Sequence, residues 1–288
     1  MIPNLFHFVF GLKPQTRPFH LVFYLCLESC RQVNQPEQIF FYYHHEPFGP
    51  YWELIRPHLT LVKVDPSRIV SQHRYDNSMV KKFSYAHHAD FIRLEKLLIT
   101  GGVYADIDTL FVNPIPPQLF SKPFVIGREA DVVDLQTGRA HPSLCNAFLM
   151  AEPQAAFGRR WLTEMATVFN GEWSRHSCQL AWELSQRDPD EVHIEPERTF
   201  YKHPFTREGI ATLFERFDPD VTDVVSFHLW AHLWWDRSRR DFSTFHAGKL
   251  TYRFIKEVDT TYTVLARKYL PLAPEPTLVS KIRHWLSR

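Results

Sequence analysis

The chain has 288 residues, with 33 Lys+Arg against 32 Asp+Glu and a formal net charge of +1. That length can bury a full-sized core, and a near-neutral balance without a basic block argues against nucleic acid as a constitutive partner. Hydrophobic residues at 44% and charged residues at 23% exclude a disordered chain, and 10 Gly with 21 Pro exclude a collagen-like one.

From the N-terminus, Leu5 to Phe10 reads as a buried strand closed by Gly11 and Pro14. Pro18 opens a predicted helix to Val33, with proline in the first turn where its missing N–H costs nothing. Cys26 and Cys30 lie four apart on one face of that helix as small apolar residues. Gln38–Tyr43 and Leu59–Val64 are β-rich, and Gly49–Arg56 between them is a short helix stopped before Pro57. This alternation is that of an α/β nucleotide-binding half. Ser84 can cap a helix from Tyr85 to Thr100, Gly101 is a natural helix stop, and Val103–Asp108 is the next strand.

Further strands are expected at Phe124–Gly127, Ala147–Ala151 and Val224–Trp230. Helices are expected at Gln154–Phe169, Ser177–Gln186 and Arg207–Phe217, followed by a mostly helical close over Lys249–Tyr269. Residues 1–270 read as one domain and 271–288 as a tail, in which Leu278, Val279, Ile282, Trp285 and Leu286 alternate with Lys281, Arg283 and Arg288. Peripheral membrane contact through that tail and packing on the domain are equal readings. The four cysteines (with Cys145 and Cys178) form no Cys-x-x-Cys pair, so neither a zinc site nor a disulfide framework is expected. No signal-peptide pattern follows Met1, and the apolar run Phe19–Leu27 is far short of a membrane span, so a cytoplasmic protein is the default.

The chemistry concentrates in residues 85–108. Apolar side chains from Tyr85 to Ile99 fall on nearly every side of the helix, which predicts a buried helix. Asp90 and Arg93, three apart, share one face and need either each other or a polar ligand. Beyond the tight turn at Gly101-Gly102, a period of two puts Tyr104, Asp106 and Asp108 on one face and Val103, Ala105 and Ile107 on the other. Two carboxylates on one face repel unless a cation lies between them, and hard oxygen ligands select Mg²⁺ or Mn²⁺. In an open α/β sheet the ligand crevice lies at the carboxyl ends of strands, where these residues fall.

Ala89-Asp90-Phe91-Ile92-Arg93 followed by Gly101 to Asp108 resembles the sugar-binding region with a DXD motif of glycosyltransferase family 32, which clostridial glucosylating toxins and α-1,4-galactosyltransferases share. The likeness begins at Ile2 to Phe10, similar to the family's I-P-K-x-I-H-x-x-W opening. It recurs more faintly at Asn146-Ala147-Phe148-Leu149 and at Val225 to Trp230. The resemblance implies a GT-A fold with a mixed sheet flanked by helices, a nucleotide-sugar donor (a UDP-sugar favoured), a divalent metal, a glycan or lipid-linked acceptor and retention of anomeric configuration. It implies that Asp108 binds the metal and Asp106 the metal or the donor. Asp90 would then accept hydrogen bonds from sugar hydroxyls, Arg93 would contact sugar or phosphate, and Tyr104 would line the nucleotide pocket. Phe10 stands where toxin relatives carry a tryptophan that stacks on uracil. His228 matches a late family histidine expected near metal and phosphate. Leu233 replaces the family's serine beside it, although Trp234 and Trp235 remain as candidate diphosphate donors.

Two other readings compete. Aspartyl-phosphate phosphotransferases of the haloacid-dehalogenase type also place Asp-x-Asp at a strand end, but Thr109 comes one residue early for their pattern. A nucleotide-sugar-binding protein without turnover is supported only by Leu233. His87-His88 reads more simply as packing at a helix start than as metal ligands.

Overall fold

The computed structural model describes residues 1–70, 84–133, 138, 140–171 and 173–272. In chain order the first half comprises β1 (Leu5–Val9), α1 (Leu21–Asn34), β2 (Gln38–Tyr43), α2 (Pro50–Ile55), β3 (Thr60–Lys63), α3 (Pro66–Val70), α4 (Ser84–Thr100), β4 (Gly102–Ala105) and β5 (Thr109–Phe111). Then follow β6 (Phe124–Val133), β7 (Ala140–Ala151), α5 (Ala156–Val168), α6 (Leu180–Arg187), β8 (His193–Glu195), α7 (Glu197–Tyr201) and α8 (Arg207–Phe214). The last elements are β9 (Ser226–His228), α9 (Ala231–Trp234), α10 (Tyr252–Glu257) and α11 (Thr261–Ala266). The tail residues Leu278, Val279, Ile282, Trp285 and Leu286 lie outside the described residues. Among the described residues no helix is long and apolar enough to cross a membrane.

The main sheet runs β3-β2-β1-β4-β7-β6-β8. β3, β2, β1 and β4 are parallel, β7 runs against both β4 and β6, and β8 is parallel to β6. The mixed sheet flanked by helices is the architecture the sequence led us to expect. Because the sheet alternates its side chains, it has two cores. Phe6, Phe8, Val103 and Ala105 pack toward α1 and the C-terminal helices. Val9 and Tyr104 pack toward α4, α5 and α6. The carboxyl ends of β1, β4 and β6 thus share one edge with the start of β7.

Several elements differ from expectation for identifiable reasons. Helix α1 starts at Leu21, not Pro18, because the His20 ring accepts the Val22 N–H and caps it there. The two strands expected at Phe124–Gly127 and Ala147–Ala151 are the inner ends of a long hairpin whose polar outer halves hid its length. Val224–Trp230 contributes only β9, which pairs with β5 in a separate two-stranded sheet. The helical close breaks into α10 and α11, separated by a Thr260–Thr263 capping box. Cys26 and Cys30 are both buried, as their spacing predicted, and all four cysteines are free.

The turn from α4 into β4 is set by backbone chemistry. Gly101 (φ +69°) donates its N–H to Leu97 O, and Gly102 (φ +116°) leads into the strand. A Cβ at Gly102 would stand 2.4 Å from Leu5 O and 2.9 Å from His7 Nε2, so only glycine fits. His7, fully buried in β1, holds this turn: its Nε2 lies 2.9 Å from Gly101 O and its Nδ1 3.0 Å from the Tyr42 hydroxyl. A carbonyl only accepts, so Nε2 carries the proton and Nδ1 accepts from Tyr42.

Burial pushes His7 down to about 4, with the Gly101 carbonyl drawing it partway back. The unfolded chain therefore takes up a proton more readily than the fold between the ordinary histidine value and that one. This contribution is complete above about pH 6.5 and falls as pH drops toward 4, by about 3 kcal/mol in all. We expect His7→Gln to lower unfolding free energy in urea at pH 7.5 and to flatten the loss between pH 6.5 and 4.5. A variant with the wild-type slope would remove His7 as its source.

Candidate active site

Helix α4 delivers Asp90 and Arg93 into the α4-side core, each buried to within a tenth of full coverage. The two form a salt bridge at 3.0 Å, but the pair read from sequence is part of a larger network. Arg93 also donates to Asn146 O at 2.5 Å and lies 3.4 Å from Asp106 Oδ1, with its guanidinium over the Tyr104 ring. Tyr104 donates its hydroxyl to Asp106 Oδ1 at 2.6 Å. Asp90 in turn accepts from the Asn146 amide (2.8 Å) and pairs with His176 Nε2 (3.0 Å).

The electrostatics follow from that geometry. Burial pushes the Asp90 carboxyl up, but Arg93 and His176 outweigh it and hold it below the usual range. Burial likewise works against the charge on Arg93, yet Asp106, Tyr104 and Asp90 together raise it further. Burial, reinforced by Asp106, drives the Tyr104 hydroxyl well up. Asp106 is the open member of the group, with its side chain 27% exposed against 9% for Asp90 and for Asp108.

The strand expectation for the DXD segment needs correction. β4 ends at Ala105, so the pleat carries Tyr104 and Asp106 to one face but does not govern Asp108. Asp106 N donates to Ala147 O, and Thr109 N donates back to Asp106 O, which folds 106–109 into a tight turn. That turn sends Asp108 toward β9 and α9. There its Oδ2 accepts the Ala231 N–H at 2.7 Å, its carbonyl accepts the Leu229 N–H, and its Oδ1 lies 3.6 Å from His228 Nδ1. The carboxylates converge because the chain turns between them, not because they share a pleat.

Asp106, Asp108 and His228 offer one ligand atom each within 4.8 Å of one another. His228 Nδ1 is buried without a hydrogen-bond partner, the condition of a donor atom awaiting a ligand. Two carboxylates and an imidazole fit a divalent cation, and β9 holds the histidine opposite Thr109 in register.

Other expected residues fall elsewhere. Trp234 does not reach the site: it is fully buried against Phe214 and Phe245, and its indole N–H goes to Leu229 O. Trp235 is half-buried and stacks on Phe23 at 4.7 Å, where Phe10 also packs at 5.0 Å. Phe10 therefore belongs to an aromatic cluster at the carboxyl end of β1 and keeps part of its ring open. His87 meets His176 and Phe169 edge-on, in keeping with packing at the helix start.

Sequence reasoning missed His176, Asn146 as a site residue and the acid Glu129. His176 rides on a single π-helical turn, Arg175–Gln179, closed by Gln179 N to Ser174 O and tied to α5 through the Trp161 indole. No local pattern announces such a turn. Glu129, on β6 beyond the expected end of its strand, is buried and accepts the Ser143 hydroxyl; burial raises its carboxyl despite that bond and the nearby thiols.

The Asp-x-Asp segment lies within a stretch that matches a known family. Residues 24–125 match the family described as glycosyltransferase sugar-binding region containing DXD motif. Glucan organizing enzyme 1 of Cryptococcus neoformans var. grubii is 29% identical over 279 residues, spanning 94% of this chain and 71% of that protein. Among solved structures, PaToxG glycosyltransferase aligns at 15% identity over 65% of this chain and 70% of its own, with a TM-score of 0.46. The galactosyltransferase LgtC aligns at 15% identity over 94% and 98%, with a TM-score of 0.43. The glycosyltransferase GlyE of Streptococcus pneumoniae aligns at 10% identity over 93% and 63%, with a TM-score of 0.45. The family match covers residues 24–125 and includes the Asp-x-Asp segment, in agreement with the resemblance read from the sequence, and the enzyme class is glycosyltransferase. The match falls on the Asp-x-Asp segment that the phosphotransferase reading also used, and it favours the former.

Arg93 binds several partners at once, which gives a stability test. Arg93→Met should cost roughly 3–5 kcal/mol, because Asp90 and Asp106 then repel across a buried space. Adding Asp106→Asn should recover part of that loss. Urea unfolding of the single and double variants measures this, and strictly additive losses would show that Asp106 draws nothing from the guanidinium.

Proposed function

We propose that this chain is a metal-dependent, retaining glycosyltransferase that moves a hexose from a nucleotide-sugar donor, a UDP-sugar for preference, to a glycan acceptor. We take residues 1–270 as its working unit. The observation that carries the reading is the convergence of Asp106, Asp108 and His228 beside the Asp90–Arg93 network. The glucan in the name of the cryptococcal relative supports a glycan acceptor, free or lipid-linked.

Asp106, Asp108 and His228 would hold the cation, and the imidazole in the set favours Mn²⁺ over Mg²⁺. When bound, such an ion neutralises charge on the departing nucleoside diphosphate. Asp90, held ionised in a buried setting, offers remaining lone pairs to donor sugar hydroxyls. Arg93 already directs its N–H groups to Asp90, Asp106 and the Asn146 and Ala89 carbonyls, so it acts by fixing those acceptors. Tyr104 orients Asp106 through its hydroxyl. Phe10, with Trp235 nearby, offers an aromatic surface for the base.

The acceptor oxygen forms its bond to the anomeric carbon as the bond to the diphosphate oxygen breaks. The hydroxyl proton passes to that departing oxygen on the same face. Family resemblance supports this front-face course. A preorganised polar site stabilises the developing charge without reorganising at the moment of reaction.

Asp108→Asn should nearly abolish transfer from UDP-sugars while the protein stays folded, because one charged oxygen ligand is lost. Assay across Mn²⁺ concentrations checks this, and full activity in the variant at any of them overturns the metal assignment. Phe10→Ala should weaken UDP binding by about 1–3 kcal/mol, with Phe10→Trp tolerated. Unchanged affinity in a folded Phe10→Ala protein, measured by calorimetry, would place this ring in the core alone.

A further inference from the structure

Trp173 leads into the π-helical turn that carries His176 to Asp90, and it is one of the few large apolar side chains left open, at 49% exposure. Its indole lies against the ring of His232, with centroids 5.5 Å apart and planes 31° from parallel. His232 is itself exposed and sits one residue after Ala231, whose N–H holds the Asp108 carboxylate. Trp173 also approaches the edge of the first half of the site through His87, which meets His176. The two rings therefore join the two halves of the site at its rim: the Asp90–His176 half and the Asp108–His228 half.

We propose that the Trp173–His232 pair is the platform on which a pyranose ring of the acceptor glycan stacks. This rests on the glycosyltransferase reading. The bond that changes lies between the donor sugar and its diphosphate, hence between the half that fits the sugar and the half that fits the metal. An acceptor hydroxyl must arrive over that junction, and the exposed aromatic pair links the segments that carry its two halves. A pyranose presents a face of C–H groups, which suits the electron-rich face of an indole, while its hydroxyls remain free to meet polar groups around it. A phosphate or an acidic peptide would gain little from the electron-rich face of an indole. His232 against the indole restrains its orientation, so less freedom is lost when a sugar binds.

The test reads glycan binding apart from donor chemistry. The full chain is titrated with maltotriose, laminaritriose and cellotriose by saturation-transfer NMR, without nucleotide, and separately with UDP and Mn²⁺ by calorimetry. At least one trisaccharide should bind. Its affinity should fall about tenfold or more in Trp173→Ala and by a smaller factor in His232→Ala, with Trp173→Phe close to wild type. The affinity for UDP and Mn²⁺ should stay within about twofold in both Trp173 variants, as expected for a ring outside the nucleotide pocket. Trisaccharide affinity unchanged in Trp173→Ala, or no binding of any of the three to the wild type, overturns the platform. Failure of the wild type to bind UDP with Mn²⁺ would instead overturn the donor-site reading and leave the glycan result to stand by itself.

Discussion

The site depends on one buried cation. Arg93 sits among Asp90, Asp106, Tyr104 and the Asn146 carbonyl, with almost none of its surface in water. A guanidinium can do this because its fixed fork addresses several acceptors at once and keeps its charge in any surroundings. Its presence allows two carboxylates from different elements to lie close together. The same charge sets the distance between α4 and the end of β4, since both elements carry a carboxylate to it. A lysine would supply the charge but not the several directions.

Around that charge the backbone does the finer positioning. The glycine pair turns the chain from α4 into β4 within van der Waals reach of β1, and His7 locks the turn from beneath. The β4 strand then lasts only four residues before the 106–109 turn divides the two aspartates between different neighbours. Asp106 stays with Arg93 and Tyr104, whereas Asp108 is taken by the Ala231 amide and faces His228. The two carboxylates therefore have different surroundings, since one is tied to the Arg93 network and the other to the late segment.

Much of this arrangement was legible in the sequence, for physical reasons that also mark where legibility stops. The Asp90–Arg93 spacing and the glycine turn are local, and helix periodicity and glycine's freedom expose them directly. The pleat placed Tyr104 and Asp106 correctly because Asp106 directly follows the last residue of β4 and still donates its N–H to Ala147 O. It misplaced Asp108 because strand length depends on what pairs alongside, and here Ala147 ends the ladder. Trp234 was read as a donor to the diphosphate, yet its indole serves a carbonyl five residues back, a pairing that hydrophobicity alone cannot distinguish. His228 emerged only through resemblance, and its meeting with Asp108 requires β9 to cross to β5, more than a hundred residues earlier.

His176 shows the same limit in its sharpest form. An α-helical continuation from Ser174 would give its ring a different bearing, because each residue of a π turn advances by a smaller angle than in an α-helix. The wide turn is stabilised at both ends, by Gln179 N on Ser174 O and by the Trp161 indole on His176 O, so the local backbone cost is shared with the α5 core. In return His176 Nε2 reaches Asp90 from the side opposite Arg93. A carboxylate gripped from two sides cannot rotate to satisfy itself elsewhere, and its remaining lone pairs keep a fixed direction. That rigidity is what a sugar-hydroxyl acceptor requires, since discrimination among hydroxyl positions comes from acceptors that do not follow the ligand. The segment that fixes Asp90 also carries Trp173 at its outer end, so the orientation of the buried acceptor and the position of the rim are set by the same turn.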